Sequence, residues 1–205
     1  MYIFLASKSE ADDEDMEEEV IEEIEEEEEA SPNLLQIRPS AITTVKKSRP
    51  KSKTGGMVNF SVEGNDERMS YVRFELSNIP KKDYVVEEAK LYLYLHRFKG
   101  SDDDFKVSID ALPHAKKWLD GTVSWNEPIN ARGSFLVDTF EAKLDDKKKH
   151  LYEVDVTDAV ARQKTRITFK LYTDKSNGRV DFAGKTYNGG DNVPELVVTL
   201  SATAA

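Results

Sequence analysis

In "KLYLYLH" (90–96), Leu91, Leu93 and Leu95 alternate with Tyr92, Tyr94 and His96. Successive side chains of a strand point to opposite faces, so this run builds one apolar and one polar face. "YVRFEL" (71–76) sets Val72, Phe74 and Leu76 against Tyr71, Arg73 and Glu75 in the same way. "LYEVDV" (151–156), "RITFKLY" (166–172) and "ELVVTL" (195–200) repeat the pattern, and "SNIPKKD", "KGSDDD", "DKSNG" and "YNGGDN" supply turn chemistry between such runs. Further strands are expected at 41–45, 56–62, 105–112 and 134–140. The clearest helical turn is "VTDAVARQ" (156–163), with Thr157 or Asp158 as its cap. Eight or nine short strands without βαβ alternation predict an all-β chain, an antiparallel two-sheet β-sandwich of jelly-roll type with one short helical turn.

Charge divides the chain. The whole carries 29 Lys/Arg and 39 Asp/Glu, a net charge of −10. Residues 1–30 hold 15 acids and one Lys, or −14, so the remaining 28 cations and 24 acids give +4. The acidic block, with few apolar residues and no hydrophobic period, reads as a disordered tail or linker over 1–33, followed by a β-sandwich domain over 34–202. No run approaches the roughly 20 apolar residues that span a bilayer. "MYIFLAS" lacks the basic n-region of a signal peptide, so either the natural start lies upstream or export uses another route. With no cysteine, disulfides, thiol catalysis and thiolate zinc sites are excluded.

Catalytic signatures are missing. His96, His114 and His150 are scattered, there is no G-x-S-x-G elbow or P-loop, and carboxylate pairs such as Asp155/Asp158 carry no information among 39 acids. The reading is therefore non-enzymatic. Binding chemistry is better represented. Tyr92 and Tyr94, with Arg73, Lys170 and Tyr172, would interleave rings and cations if their strands shared one open face. Rings stack on the apolar faces of sugars, and cations pair with carboxylates. Exposed Tyr and Arg also serve ordinary cross-strand pairing. "KKSRPKSK" (46–53) places Lys46, Lys47, Arg49 and Lys51 in one connection, which attracts polyanions or is a plain solvated loop. "DDD" (102–104) and "NGGDN" (188–192) could ligate calcium but lack the spacing of a defined loop.

The order of "RMSYVRFELSNIP", "VVEEAKLYLYL", "VSIDAL", "KKWLDGTVSWNEP", "YEVDVTDAV", "ITFKLYT" and "VDFAGKTYNGGDNVPELVVTL" resembles the DNRLRE-type domain, including the alginate-binding carbohydrate-binding module family 96. The resemblance covers about residues 35 to 202. It implies a non-catalytic β-sandwich attached to lyases or cell-surface proteins, hence an extracellular or cell-surface location. "TVSWNEP" matches the family's Trp–Asn pair ahead of proline, and Trp118 the tryptophan before it. The recurrence of that pair in modules without a known sugar implies that Trp125 anchors a loop, a stacking platform being the alternative. Asp155 and Thr157 match the "DVT" turn device, Arg73 the basic residue of "YxRFDLS", and Lys185 a small–Lys/Arg–Glu run whose Glu is missing here. "RFELSNIP", "VVEEAKLYLY" and "YEVDVTDAV" also resemble the propeptide of transforming-growth-factor-type precursors, though no cysteine-rich domain follows and "TVSWNEP" has no counterpart there.

The expected function is that of a non-catalytic module for an acidic polysaccharide such as alginate. Its contacts would be Lys46, Lys47, Arg49, Lys51, Arg73, Tyr92, Tyr94, Lys170 and Lys185, acting by cation–carboxylate pairing and stacking. No cofactor is expected beyond a conceivable calcium ion. The expected partners are that polysaccharide and neighbouring domains of a larger chain, with no nucleic acid and no membrane insertion. The alternative is a structural or adhesion module without a sugar ligand.

Overall fold

The seventeen-residue strand Tyr84–Gly100 is the spine of a computed structural model that describes residues 33–55, 58–65, 67–80, 82, 84–100, 105–143, 150–173 and 178–203. The acidic segment, apart from Asn33, and "DDD" at 102–104 lie outside the described residues. In chain order the described strands are β1 (Asn33–Ile37), β2 (Ala41–Lys46), β3 (Asn59–Glu63), β4 (Arg68–Glu75), β5 (Tyr84–Gly100) and β6 (Lys106–Leu112). They continue as β7 (Phe135–Glu141), β8 (His150–Asp155), β9 (Arg166–Tyr172), β10 (Gly178–Ala183) and β11 (Glu195–Ala202). The short helix α1 (Thr157–Ala161) follows β8.

The all-β expectation holds, and every described ladder is antiparallel. Pairing links the strands into one eleven-stranded sheet, in the order β1-β11-β5-β10-β3-β4-β9-β6-β7, with β2 added on β4 and β8 on β5. The spine changes partner along its length: Tyr84–Tyr92 pairs with β11 and Leu95–Gly100 with β10. A register shift interrupts each of these ladders, which lets the sheet bend.

The sheet curls. Flat, β10 and β7 would stand five strand steps apart, about 24 Å at about 4.8 Å per step. Yet Phe140 on β7 meets Phe182 on β10 at 6.4 Å and stacks on Tyr152 of β8 at 4.3 Å. The concave face holds Leu91, Leu93 and Leu95, all fully buried, together with Val72, Phe74 and Phe169. Burying each such side chain contributes about 1.5–3 kcal/mol before chain entropy is counted.

Helix α1 forms where the helical turn is expected, but neither Thr157 nor Asp158 caps it by a side-chain hydrogen bond. Asp155 does the local work instead. Its carboxylate accepts the Thr157 N–H at 2.9 Å and hydroxyl at 2.6 Å, while Thr157 Oγ1 accepts the Ala89 N–H at 2.9 Å. These bonds from Thr157 hold the Asp155 carboxyl below the usual carboxylate range.

Candidate functional site

Residues 113–134, between β6 and β7, contain no strand and cover the convex side of β2, β4 and β9. Trp118 sits in a second apolar cluster with Ala41, Val45, Tyr71, Leu112 and Val123, and Trp125 packs against it. The Trp118 indole donates to Thr168 Oγ1 at 3.1 Å, meets the Tyr71 ring edge-on at 6.4 Å and lies 5.5 Å from the Arg73 guanidinium carbon. Both tryptophans therefore anchor a roof, and neither forms an open platform with its partner. Tyr71 is 1% exposed and Arg73 2%, so the convex face of β4 is closed to a ligand.

A polar seam holds the roof down. Asp120 accepts the Ile42 N–H at 2.7 Å and the Lys185 ammonium at 3.2 Å; Lys185 also donates to the Ser40 carbonyl at 3.1 Å. Arg73 Nε donates to Ser40 Oγ at 2.9 Å, and its other end pairs with Glu75 at 3.3 Å. Burial draws the Arg73 guanidinium below its ordinary pKa, against the pull of Glu75. Sequence reasoning placed Arg73 and Lys185 at a ligand. In the fold both are engaged in fastening the roof to the sheet.

The cationic connection after β2 is tied to the same roof. The Asn126 N–H of "TVSWNEP" donates to the Pro50 carbonyl at 3.0 Å, and Lys53 pairs with Glu127 at 3.5 Å. Across the connection's two ends the Thr43 hydroxyl donates to the Thr54 carbonyl, and the Thr54 hydroxyl donates to the Thr44 carbonyl. Internal turns add the Arg49 N–H to the Lys46 carbonyl at 3.2 Å and the Ser52 N–H to the Arg49 carbonyl at 2.9 Å. Lys47, Arg49 and Lys51 are exposed on this braced segment. Lys46 is pulled below its ordinary pKa, first by burial and then by Arg68, Arg179 and Arg49, with Glu63 opposing. Arg68 on β4 lies directly opposite Lys46, where the connection begins, and Arg179 on β10 lies opposite Glu63.

Tyr92 and Tyr94 lie elsewhere, in a groove of about 370 Å³ between β8 and β11 that is also lined by Leu34, Gln36, Leu151 and Val197. Its charges are acidic on balance. Lys90 bridges Glu153 at 2.8 Å and Glu88 at 3.1 Å, which raises the Lys90 pKa and lowers that of Glu153. Glu195 lines the groove as well. Burial and then Glu153 push the Tyr92 phenol upward. A wider cleft of about 730 Å³ beside α1 sets Asp138, Asp155 and Asp158 against Arg162 and offers no cation surplus. Among the described residues, no group of three or more His, Asp or Glu could hold a metal ion.

Residues 33–200 match the sequence model of carbohydrate-binding module family 96. The chain belongs to that family. No curated protein matches it. Two solved structures are distantly similar: the structure of infectious bursal disease virus Gt strain (12% identity, TM-score 0.28, 86% of this chain) and that of infectious bursal virus-derived T=1 particles (13%, 0.27, 86%). The chain spans 39% and 37% of the lengths of those two chains.

Family 96 is a family of carbohydrate-binding modules. The nine sequence-predicted contacts fall in four places of the module. Lys46, Lys47, Arg49 and Lys51 stay together; Arg73 and Lys185 join the roof seam; Tyr92 and Tyr94 line the acidic groove. Lys170 stands over the Tyr172 ring at 4.3 Å on β9, four strand steps from β5, and the Tyr172 hydroxyl donates to Asp110 at 3.1 Å. Sequence reasoning missed Arg68 and Arg179. Arg68 opens a strand whose apolar pattern begins later, and Arg179 belongs to "GRVDFA", where a buried Asp181 breaks the expected alternation.

Proposed function

We propose that the module holds an acidic polysaccharide of the polyuronate class, such as alginate, outside the cell and without covalent chemistry. The observation that carries this reading is the placing of Lys46, Lys47, Arg49 and Lys51 on a connection braced by the roof, with Arg68 directly opposite Lys46 in the β2–β4 ladder. Carboxylates pair with ammonium and guanidinium groups, and a preformed cation set loses less entropy on binding than a mobile one. Stacking on Tyr92 and Tyr94 would use a separate face, where Glu88, Glu153 and Glu195 repel a polyuronate.

Affinity electrophoresis in gels containing alginate, pectate or a neutral glucan tests the proposal. Uronate gels alone should retard the protein, and retardation should fall as salt rises. The double variant Lys47→Ala/Arg49→Ala should lose most of it, whereas Arg73→Met, measured below its melting temperature, should keep it. A structural or adhesion module is the second reading, favoured by exposed Leu34 (56%) and Leu151 (44%) beside the tyrosine groove. Unretarded migration in every gel would decide for it.

A further inference from the structure

The registers of five neighbouring strands bring charged residues into one line. Lys99 on β5 is opposite Arg179 on β10, and Arg179 is opposite Glu63 on β3. Glu63 is opposite Arg68 on β4, and Arg68 is opposite Lys46 on β2. Directly opposed residues are cross-strand neighbours, so the line Lys99–Arg179–Glu63–Arg68–Lys46 crosses the strands and turns where β3 meets β4 at the single pair Glu63/Arg68. Four of its five members are cations.

Opposed like charges destabilise a sheet, and this line contains two such pairs, Lys99/Arg179 and Arg68/Lys46. Internal carboxylates relieve them only in part. Glu63 pairs with Arg68, and Asp181 accepts Arg179 Nε at 2.6 Å. No ion pair among the described residues engages Lys46, Arg49 or Lys99. The downward pull of Arg68 and Arg179 on Lys46 is the same repulsion seen from one member. A fold gains nothing from stacking uncompensated cations in a line, whereas an anionic ligand with matching spacing gains a great deal.

Resting on the acidic-polysaccharide reading, we infer that this line is a binding track on which a polyuronate chain lies across the strands, one sugar per strand step. Neighbouring strands stand about 4.8 Å apart, close to the length of one pyranose residue in an extended uronan. The track spans four steps, about 19 Å, and so takes five sugars. Carboxylates pair at its two ends, with Lys99/Arg179 and with Arg68/Lys46. Glu63 repels a carboxylate in the middle and accepts sugar hydroxyls there instead. A neutral glycan offers the end cations no counter-charge.

Titration calorimetry with purified oligouronates, from the dimer through the hexamer, tests the track on the full chain. Affinity should climb to the pentamer and level off at the hexamer. Lys99→Gln should weaken pentamer binding about threefold, leave dimer binding less affected, and hold or raise the melting temperature. Glu63→Gln should strengthen pentamer binding, a gain that a purely structural glutamate would not produce. If uronates bind but affinity levels off at the dimer and Lys99→Gln changes nothing, the track is wrong and the acidic-polysaccharide reading survives. If no oligouronate binds, both fail. Equal affinity for a single-stranded oligonucleotide, with the same dependence on Lys99, would replace the sugar track with a nucleic-acid one.

Discussion

Truncating Trp118 to alanine separates a structural tryptophan from a sugar platform. The side chain is 7% exposed, packs edge-on against Tyr71, lies against the Arg73 guanidinium and satisfies Thr168 Oγ1. Replacing a buried Trp by Ala costs about 3–5 kcal/mol in lost transfer energy and cavity. The orphaned buried hydroxyl of Thr168 adds about 1 kcal/mol. A total of about 5 kcal/mol lowers the melting temperature of a domain this size by roughly 10–20 °C. Thermal unfolding followed by near-ultraviolet circular dichroism measures the shift. Affinity electrophoresis at a temperature where the variant is folded measures binding, and retardation by polyuronate should remain within about threefold of the parent. A variant that keeps its melting temperature but no longer binds would show that the indole touches the glycan, and the roof argument would fall.

Two further tests bear on the same layer. Burial pushes the Tyr71 phenol from its ordinary 10.0 up to about 12. Because the raised value favours the neutral phenol in the folded state, this contribution is intact below pH 10 and is lost as pH climbs toward 12. The loss reaches about 2.7 kcal/mol, and urea titrations across that window should show that Tyr71→Phe flattens the decline; an unchanged slope would refute the assignment. Gly55→Ala would set a Cβ 2.3 Å from the Gly121 nitrogen and 2.5 Å from the Asp120 Cα, both backbone atoms. It should cost about 1–3 kcal/mol by chemical denaturation and speed proteolysis within 113–134, and a variant as stable as the parent would contradict that close approach.

Much of the sheet was legible in the chain. Leu91, Leu93 and Leu95 announce both the strand and its buried side, and the bounds expected for β9 are those observed. Strand β1 escaped because adjacent Leu34 and Leu35 break the alternation, and β10 because Asp181 is buried where a surface residue is expected. Alternation separates Tyr71 and Arg73 from Val72 and Phe74, but it cannot tell solvent from a covering loop. The cover comes from a segment about fifty residues away, signalled locally only by its two tryptophans. The cation line was hidden for a different reason. Positions 46, 63, 68, 99 and 179 follow no spacing along the chain and meet only through the register of four ladders.

The roof divides the labour between regions of the molecule. Where it lies, at β2, β4 and β9, the sheet is packed on both sides, so substitutions there are tolerated only as far as packing allows. On the strands flanking β3 and β10, Lys46 and Lys99 engage no ion pair among the described residues and can be exchanged one at a time with small cost to folding, whereas Arg179 is tied to the buried Asp181. A lineage could therefore retune which polymer it grips by editing that rim while its tryptophan-anchored half stays the same.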